Sequence, residues 1–178
     1  MSTQYGFYFD ASRCIACRSC VVACKDWNDN KAAKSVYWRR VTTVESGKCP
    51  NVRLSNQSLS CMHCAKPACA AACPAKAIAK RFEDGIVVVD QSKCKGCQTC
   101  GKACPYGAPK YGADGKMQKC DLCLDKVKQG KKAECDLACT GDAIYAGPLS
   151  ELSRTWAKKS PVLLAGPTQP SMLISQPK

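Results

Sequence analysis

Histidine and aromatic side chains are scarce in this sequence. His63 is its single histidine, and aromatic residues make up 7% of the 178 positions. One imidazole offers little for acid–base catalysis. The chain also lacks a P-loop, a G-x-G-x-x-G run after a strand and a Ser/His/Asp pattern, so nucleotide binding and nucleophilic hydrolysis have no supporting motif. The sequence therefore predicts a protein that is not itself an enzyme.

Long hydrophobic runs are also missing. The longest apolar stretches, such as GIVVV, have the length of a strand, whereas a membrane-spanning helix needs about 20 apolar residues. The opening MSTQYGFYFD has no basic segment followed by an apolar one, as a secretory signal would. We therefore expect no direct membrane insertion, and no signal of its own: the protein is cytoplasmic, or it is exported folded as a passenger on a partner's signal.

Cysteine is the residue in excess, with 17 copies in a chain whose aliphatic and aromatic residues are few for its length. A thin apolar core predicts that metals help to hold the fold. The odd count and the missing signal argue against a disulfide framework. Sixteen cysteines form four groups of four and leave Cys49 over: Cys14, Cys17, Cys20 and Cys24; Cys61, Cys64, Cys69 and Cys73; Cys94, Cys97, Cys100 and Cys104; Cys120, Cys123, Cys135 and Cys139.

The spacing within these groups indicates iron–sulfur clusters. Groups one and three read C-x2-C-x2-C-x3-C, a run in which three thiolates bind one [4Fe–4S] cluster and the fourth binds the other. PAKAI follows group two and TGDAI follows group four, so a two-group unit is repeated. Zinc is the main alternative, because groups two and four alone resemble zinc-ribbon pairs. A third cysteine three residues on exceeds what a zinc clamp of two pairs needs.

A β-hairpin predicted between groups two and three decides how the groups pair. Its turn is Asp84-Gly85, flanked by strand-like residues. A hairpin between two cysteine runs is the arrangement of a small two-cluster ferredoxin, so groups two and three form one module and groups one and four the other. With the fourth cysteines crossing over, the predicted ligand sets are Cys14, Cys17, Cys20 with Cys139; Cys120, Cys123, Cys135 with Cys24; Cys61, Cys64, Cys69 with Cys104; and Cys94, Cys97, Cys100 with Cys73.

Several stretches of the chain carry a resemblance to a known family. They are QYGFYFDASRCIACRSCVVACKDWND, SCMHCAKPAC, DGIVVVD, CPYGAPKY and KCDLCLDKV. Together they make the chain similar to the four-cluster iron–sulfur electron-transfer (B) subunit of the dimethyl sulfoxide reductase family of molybdenum and tungsten oxidoreductases. The likeness spans residues 4–150 and includes all sixteen grouped cysteines. Ala16 stands where such loops often have glycine, and Thr140 stands where proline is usual.

The resemblance implies a fold and a role. The fold class is α+β, with two ferredoxin-like two-cluster modules related by internal duplication, β-hairpin insertions and an extended C-terminal tail. Residues 1–60 plus 110–150 form one module, residues 61–109 form the other, and 151–178 are a docking segment. In nitrate reductase relatives, tryptophan replaces the second cysteine of group three and that cluster is [3Fe–4S]. With Cys97 at this position, all four clusters are expected to be [4Fe–4S].

The implied partners are a large molybdopterin- or tungstopterin-containing catalytic subunit and, at the other end of a one-electron wire, a membrane quinone-binding subunit or another redox subunit. The wire of a soluble tungsten aldehyde oxidoreductase or of a hydrogenase-type complex, a free polyferredoxin, and a zinc-structured binding module stay open as alternatives. Nucleic acid is not expected. The formal charge of +13 counts every cysteine as neutral, and four cubes of about −2 each lower it to about +5.

Three smaller features complete the predictions. His63 makes either a hydrogen bond outside the ligand set or a simple packing contact, since four thiols already fill each set. Cys49 is a loop thiol without a special role. In the last segment, SELSRTWAKKS is expected to be one amphipathic helix with Ser150 as N-cap, and the proline-spaced residues after it have no internal partner and dock on another subunit or stay disordered.

Overall fold

A computed structural model describes residues 3–28 and 36–175 of the chain. The parts of the predicted modules and tail at residues 1–2, 29–35 and 176–178 lie outside the described residues. The strands are β1 (Tyr5–Asp10), β2 (Arg40–Ser46), β3 (Arg53–Leu59), β4 (Ile78–Lys80), β5 (Val87–Val89), β6 (Lys110–Tyr111), β7 (Met117–Gln118), β8 (Ile144–Pro148), β9 (Val162–Leu163) and β10 (Met172–Ser175). The α-helices are α1 (Ser19–Trp27), α2 (Ala68–Ala71), α3 (Thr99–Ala103), α4 (Leu124–Val127), α5 (Glu134–Leu137) and α6 (Leu149–Thr155), and a 3-10 turn follows at Ala157–Lys159.

One four-stranded sheet organises the fold, with the order β8-β1-β10-β9. Strand β1 is aromatic and lies at a central position of the sheet, where Phe7, Tyr8 and Phe9 are buried. It pairs antiparallel with β8 and parallel with β10. The chain therefore brings its beginning, the segment after the last cysteine and its C-terminal segment into one sheet.

The prediction that the C-terminal segment has no internal partner is wrong. Strand β10 pairs with β1 in the register Phe7 with Met172, and Met172 and Leu173 are buried in the protein's own core. Gly6 allows this close approach, because a Cβ at that position would lie 2.1 Å from the Ser171 carbonyl oxygen. Separated prolines do not prevent burial here, because β10 needs only four residues and fits between Pro170 and Pro177 in the sequence.

The helix predicted for SELSRTWAKKS is shorter than expected. It covers Leu149–Thr155 and then tightens into the 3-10 turn. Ser150 lies inside the helix and does not cap it; the residue at the N-cap position is Pro148. Proline fits there because its fixed φ and missing N–H cost nothing at the start of a helix.

The predicted hairpins are confirmed. Strands β2 and β3 pair antiparallel from Arg40 with Leu59 to Ser46 with Arg53, and β4 pairs with β5 between the second and third cysteine groups. The turn of the latter uses Gly85 at φ +67°, and Asp84 fixes it by accepting from the Ile86 N–H at 2.9 Å.

The internal duplication is visible in the backbone. Ala16 and Gly96 occupy equivalent places in the first and third cysteine loops, with φ 56° and 68°, and Arg18 and Gln98 follow with φ 63° and 60°. Positive φ is the reason glycine is common at the first of these positions. Both loops then lead into a helix, α1 and α3. The α+β class with duplicated ferredoxin-like units agrees with this arrangement.

Candidate iron–sulfur centres

The structure brings the sixteen grouped cysteines together in the four predicted sets. We number the centres by the group that supplies three thiols. Centre I is Cys14, Cys17, Cys20 and Cys139; centre II is Cys61, Cys64, Cys69 and Cys104; centre III is Cys94, Cys97, Cys100 and Cys73; centre IV is Cys120, Cys123, Cys135 and Cys24. The first three sets each line a separate cavity. Their assignment as ligands stays a prediction.

Centre IV is the most deeply buried set, since all four of its thiols lie in the interior. The pKa of Cys24 is raised to about 12 and that of Cys123 to about 11. Burial is the main cause, and the charges of the neighbouring thiols in the set also raise both pKa values. Thiolates packed this closely are not stable without positive charge between them. A metal supplies that charge and deprotonates its thiol ligands, so this set of side chains fits a metal cluster.

Each centre is linked to a second one through helical turns. On α1, Cys20 belongs to centre I and Cys24 to centre IV. Cys135 lies on α5 and Cys139 just after it, and they join the same two centres. Centres II and III are joined in the same way by Cys69 on α2 with Cys73, and by Cys100 on α3 with Cys104. Four residues are about one helical turn, roughly 6 Å, so the two centres of each pair are close neighbours.

Hydrogen-bond donors surround the sulfur atoms. Backbone N–H groups donate to Cys139 Sγ at 3.1 Å and to Cys73 Sγ at 3.3 Å, from equivalent positions of the duplicated unit. Another donates to Cys120 Sγ at 3.4 Å, and the Thr168 hydroxyl lies 3.2 Å from Cys64 Sγ. Each centre thus has at least one donor near a sulfur. This is the environment that stabilises cluster thiolates and sets their potentials.

The spacing of the thiols fits clusters better than single ions. In the parts of the chain that the structure describes, no three His, Cys, Asp or Glu side chains converge closely enough to hold one metal ion. The four thiolates of a cube bind four different irons and stand further apart than the ligands of one zinc. When bound, a [4Fe–4S] cluster supplies one-electron redox chemistry; the protein supplies ligands, donors and burial.

Arg39 is a buried cation near two of the centres that nothing in the sequence marks out. Its side chain is 2% exposed, and the guanidinium donates to Ser58 Oγ and Ser60 Oγ, both at 3.0 Å, while lying 4.9 Å from the Phe7 ring centroid. Burial works to lower the pKa of Arg39, but the sulfurs of centres I and IV raise it above its ordinary value. A buried cation needs negative charge nearby, and these two centres provide it.

Lys119 is a second buried cation, beside centre II. It lines the cavity of that centre, and its ammonium group donates to the carbonyl of Val87 and, at 2.9 Å, to that of Cys120. Because Cys120 belongs to centre IV, Lys119 lies where centres II and IV approach each other. The burial of Lys119 was not visible in the sequence.

His63 makes a hydrogen bond and packs. The ring is fully buried, its Nδ1 accepts from the Val87 N–H at 3.1 Å, and Phe7 lies beside it at 6.4 Å between ring centroids. Burial, with Lys119 and Arg39 nearby, lowers the pKa of His63 well below its usual range, so the ring is neutral. Nε2 then carries the proton and has no partner among the described residues. The cysteine outside the sets, Cys49, is exposed in the β2–β3 loop.

No described helix has both the length and the apolar character needed to cross a membrane. The centres are held by short loops, small sheets and helices of four to nine residues.

Comparison with known proteins gives a consistent result. Residues 52–149 match the model of a 4Fe-4S dicluster domain. The B chain of the anaerobic dimethyl sulfoxide reductase of Escherichia coli is 42% identical, over 98% of this chain and 89% of its own length. The corresponding chain of Haemophilus influenzae is 39% identical over 98% and 90%, and the B subunit of the sulfite dehydrogenase of Allochromatium vinosum is 37% identical over 85% and 73%.

Proposed function

Since this chain belongs to the iron–sulfur (B) subunits of the dimethyl sulfoxide reductase family, we propose how its wire is ordered and where the wire meets its partners. The chain is a non-catalytic electron-transfer subunit with four [4Fe–4S] clusters. It passes single electrons to or from a molybdopterin catalytic subunit.

The order of the wire is I–IV–II–III. Centres I and IV share α1 and α5, and centres II and III share α2 and α3. The two pairs meet at Lys119, which lines centre II and directly precedes the first thiol of centre IV. Centres I and III therefore lie at the two ends of the wire.

The single observation that carries this proposal is the exposure of one thiol at each end. Cys17 of centre I and Cys97 of centre III are exposed, while the other grouped cysteines are buried or half-buried. Electron transfer to another protein requires a short distance, so the two exposed loops are the places where partners bind. Ile15, 69% exposed beside Cys17, adds an apolar contact at the centre I end.

We assign the catalytic subunit to the centre I end and a quinone-linked membrane subunit, or another redox subunit, to the centre III end. Exposed apolar Ile15 and Val22 near centre I suit a permanent interface. Around centre III the exposed residues include Lys95 and Lys102, which suit a partner that offers acidic groups or anionic lipid headgroups.

Anaerobic purification of the tagged chain from its native host tests this assignment. We expect a large pterin-containing chain to co-purify with the wild type and to be lost with Ile15→Asp. The matched control is Phe82→Asp, at an 84% exposed position in the β4–β5 turn, which should keep the partner. Loss with both variants, or with neither, would contradict the assignment; a chain that purifies alone would favour a free polyferredoxin.

A related experiment addresses the second partner and the location. Lys95→Glu should leave the catalytic subunit bound and weaken attachment to membranes or to the second redox chain.

We also propose that the chain stays in the cytoplasm or is exported only after folding, because its clusters must be in place for it to fold. Cell fractionation with an antibody against the chain would show where the chain is located. Unfolded, iron-free chain outside the cytoplasm would contradict the proposal.

A further inference from the structure

We propose that Thr168, a residue of the C-terminal segment outside all four cysteine groups, raises the reduction potential of centre II. It does so by a hydrogen bond from its hydroxyl to the Cys64 sulfur. The proposal rests on the predicted role of Cys64 as a cluster ligand. Reduction adds negative charge to a cluster, so a donor to a ligand sulfur stabilises the reduced form more than the oxidised form.

The contact is direct and buried. Thr168 Oγ1 lies 3.2 Å from Cys64 Sγ, and Thr168 is 6% exposed. It is the hydroxyl contact at centre II among the described residues. At centre I, the Ser58 hydroxyl lies 3.4 Å from the buried Cys20 Sγ, and the Ser19 and Thr99 hydroxyls donate at 3.5 Å to the exposed thiols Cys17 and Cys97. A buried donor is screened less by water and acts more strongly on the charge of the sulfur.

The Tyr106 hydroxyl is a second neighbour of the Thr168 hydroxyl. The two oxygens lie 3.2 Å apart on the wall of the same cavity, with Thr168 as the donor. A threonine hydroxyl has one proton to donate, and an iron-bound thiolate only accepts. With a cluster bound, the Thr168 proton therefore goes to Cys64, and Tyr106 turns to donate its own proton to Thr168. Donation from Tyr106 polarises the Thr168 hydroxyl and strengthens its bond to the sulfur.

Backbone pairing holds Thr168 at this place. Its carbonyl accepts from the Lys66 N–H at 3.1 Å, and the Gln169 carbonyl accepts from the Ala65 N–H at 2.8 Å. Three residues on, the Ser171 N–H donates to the Met62 carbonyl at 2.9 Å. The C-terminal segment thus follows the cysteine loop of centre II closely. Gly166 permits this, because a Cβ there would lie 2.2 Å from the Tyr106 hydroxyl.

The test compares Thr168→Val, which keeps the shape and removes the donor, with Thr168→Ser, which keeps the donor. Potentials of the four clusters are measured by redox titration monitored by electron paramagnetic resonance. In Thr168→Val we expect one of the four midpoints to fall, by up to tenfold in the one-electron equilibrium constant, or about 59 mV. Thr168→Ser should keep all four, and Tyr106→Phe should lower the same midpoint by less.

Two controls keep the proposal testable. Iron content of Cys64→Ala is measured first: full content of four intact clusters would show that Cys64 is not a ligand, and would leave the electron-transfer role untouched. Electron–nuclear double resonance in D2O should then show, at the cluster whose midpoint shifts, an exchangeable deuteron that is present in wild type and Thr168→Ser and lost in Thr168→Val.

Unchanged midpoints in Thr168→Val, or equal shifts in the valine and serine variants, would overturn the proposal. If Thr168→Val fails to hold its cluster, Tyr106→Phe decides: an unchanged set of midpoints there would overturn it as well.

Discussion

Strand β10 packs in the core and should therefore contribute strongly to the stability of the protein. The substitution Met172→Ala tests this. Met172 is 3% exposed, lies in register with Phe7 and packs in the core cluster that also contains Cys20 and Cys24. Truncating a buried methionine to alanine costs about 2–5 kcal/mol. For a protein of this size each kcal/mol lowers the midpoint of thermal unfolding by about 2–4 °C.

The assay follows thermal loss of the visible absorbance of the clusters under anaerobic conditions. The matched variant is Leu163→Ala on neighbouring β9, where the side chain is 52% exposed and substitution should change stability by only about 0.5 kcal/mol. We expect Met172→Ala to lose its clusters at least about 3 °C lower than Leu163→Ala. Equal midpoints for the two variants would refute the assignment of β10 to the core and would revive the idea of a docking segment.

The centres lead to three more predictions. Arg39→Gln should lower the reduction potentials of centres I and IV and destabilise the protein by about 3–5 kcal/mol. Arg40→Gln, at a half-buried position, should do neither. Potentials of Arg39→Gln equal to those of the wild type in a redox titration would contradict this. Cys97→Ala should fold and convert centre III into a [3Fe–4S] cluster with a paramagnetic signal near the free-electron value and a raised potential; four unchanged [4Fe–4S] signals would contradict the ligand set. Removing the iron should unfold the chain, as measured by circular dichroism, because the apolar core is small; a cooperative native-like melt of the iron-free chain would be evidence against it.

The cysteine spacing carried most of the prediction. Three thiols at intervals of three can wrap one cluster from a single loop, and the fourth, one helical turn further, can only reach another cluster. This is a local constraint, so the sequence alone was enough to group the thiols. The hairpin between groups two and three added the pairing, because strands joined by a short turn bring their flanking loops together.

The charge environment of the centres could not be predicted in the same way. Arg39 lies between the first and second cysteine groups, and nothing local in the sequence marks it as buried. Its position depends on the β2–β3 pairing that brings Ser58 opposite Val41. Thr168 reaches Cys64 from 104 positions along the chain, a contact that only the folded C-terminal segment creates.

The sequence by itself determined the number of clusters, the grouping of their predicted thiol ligands and the duplicated architecture. It could do so because the ligands of one cluster are separated by short, fixed numbers of residues. Tertiary structure alone decided that the C-terminal segment contributes a strand to the core, that Arg39 and Lys119 are buried, and that Cys17 and Cys97 are the exposed thiols among the grouped cysteines. These features arise from contacts between residues far apart in sequence, where pairing partners and burial depend on the whole fold.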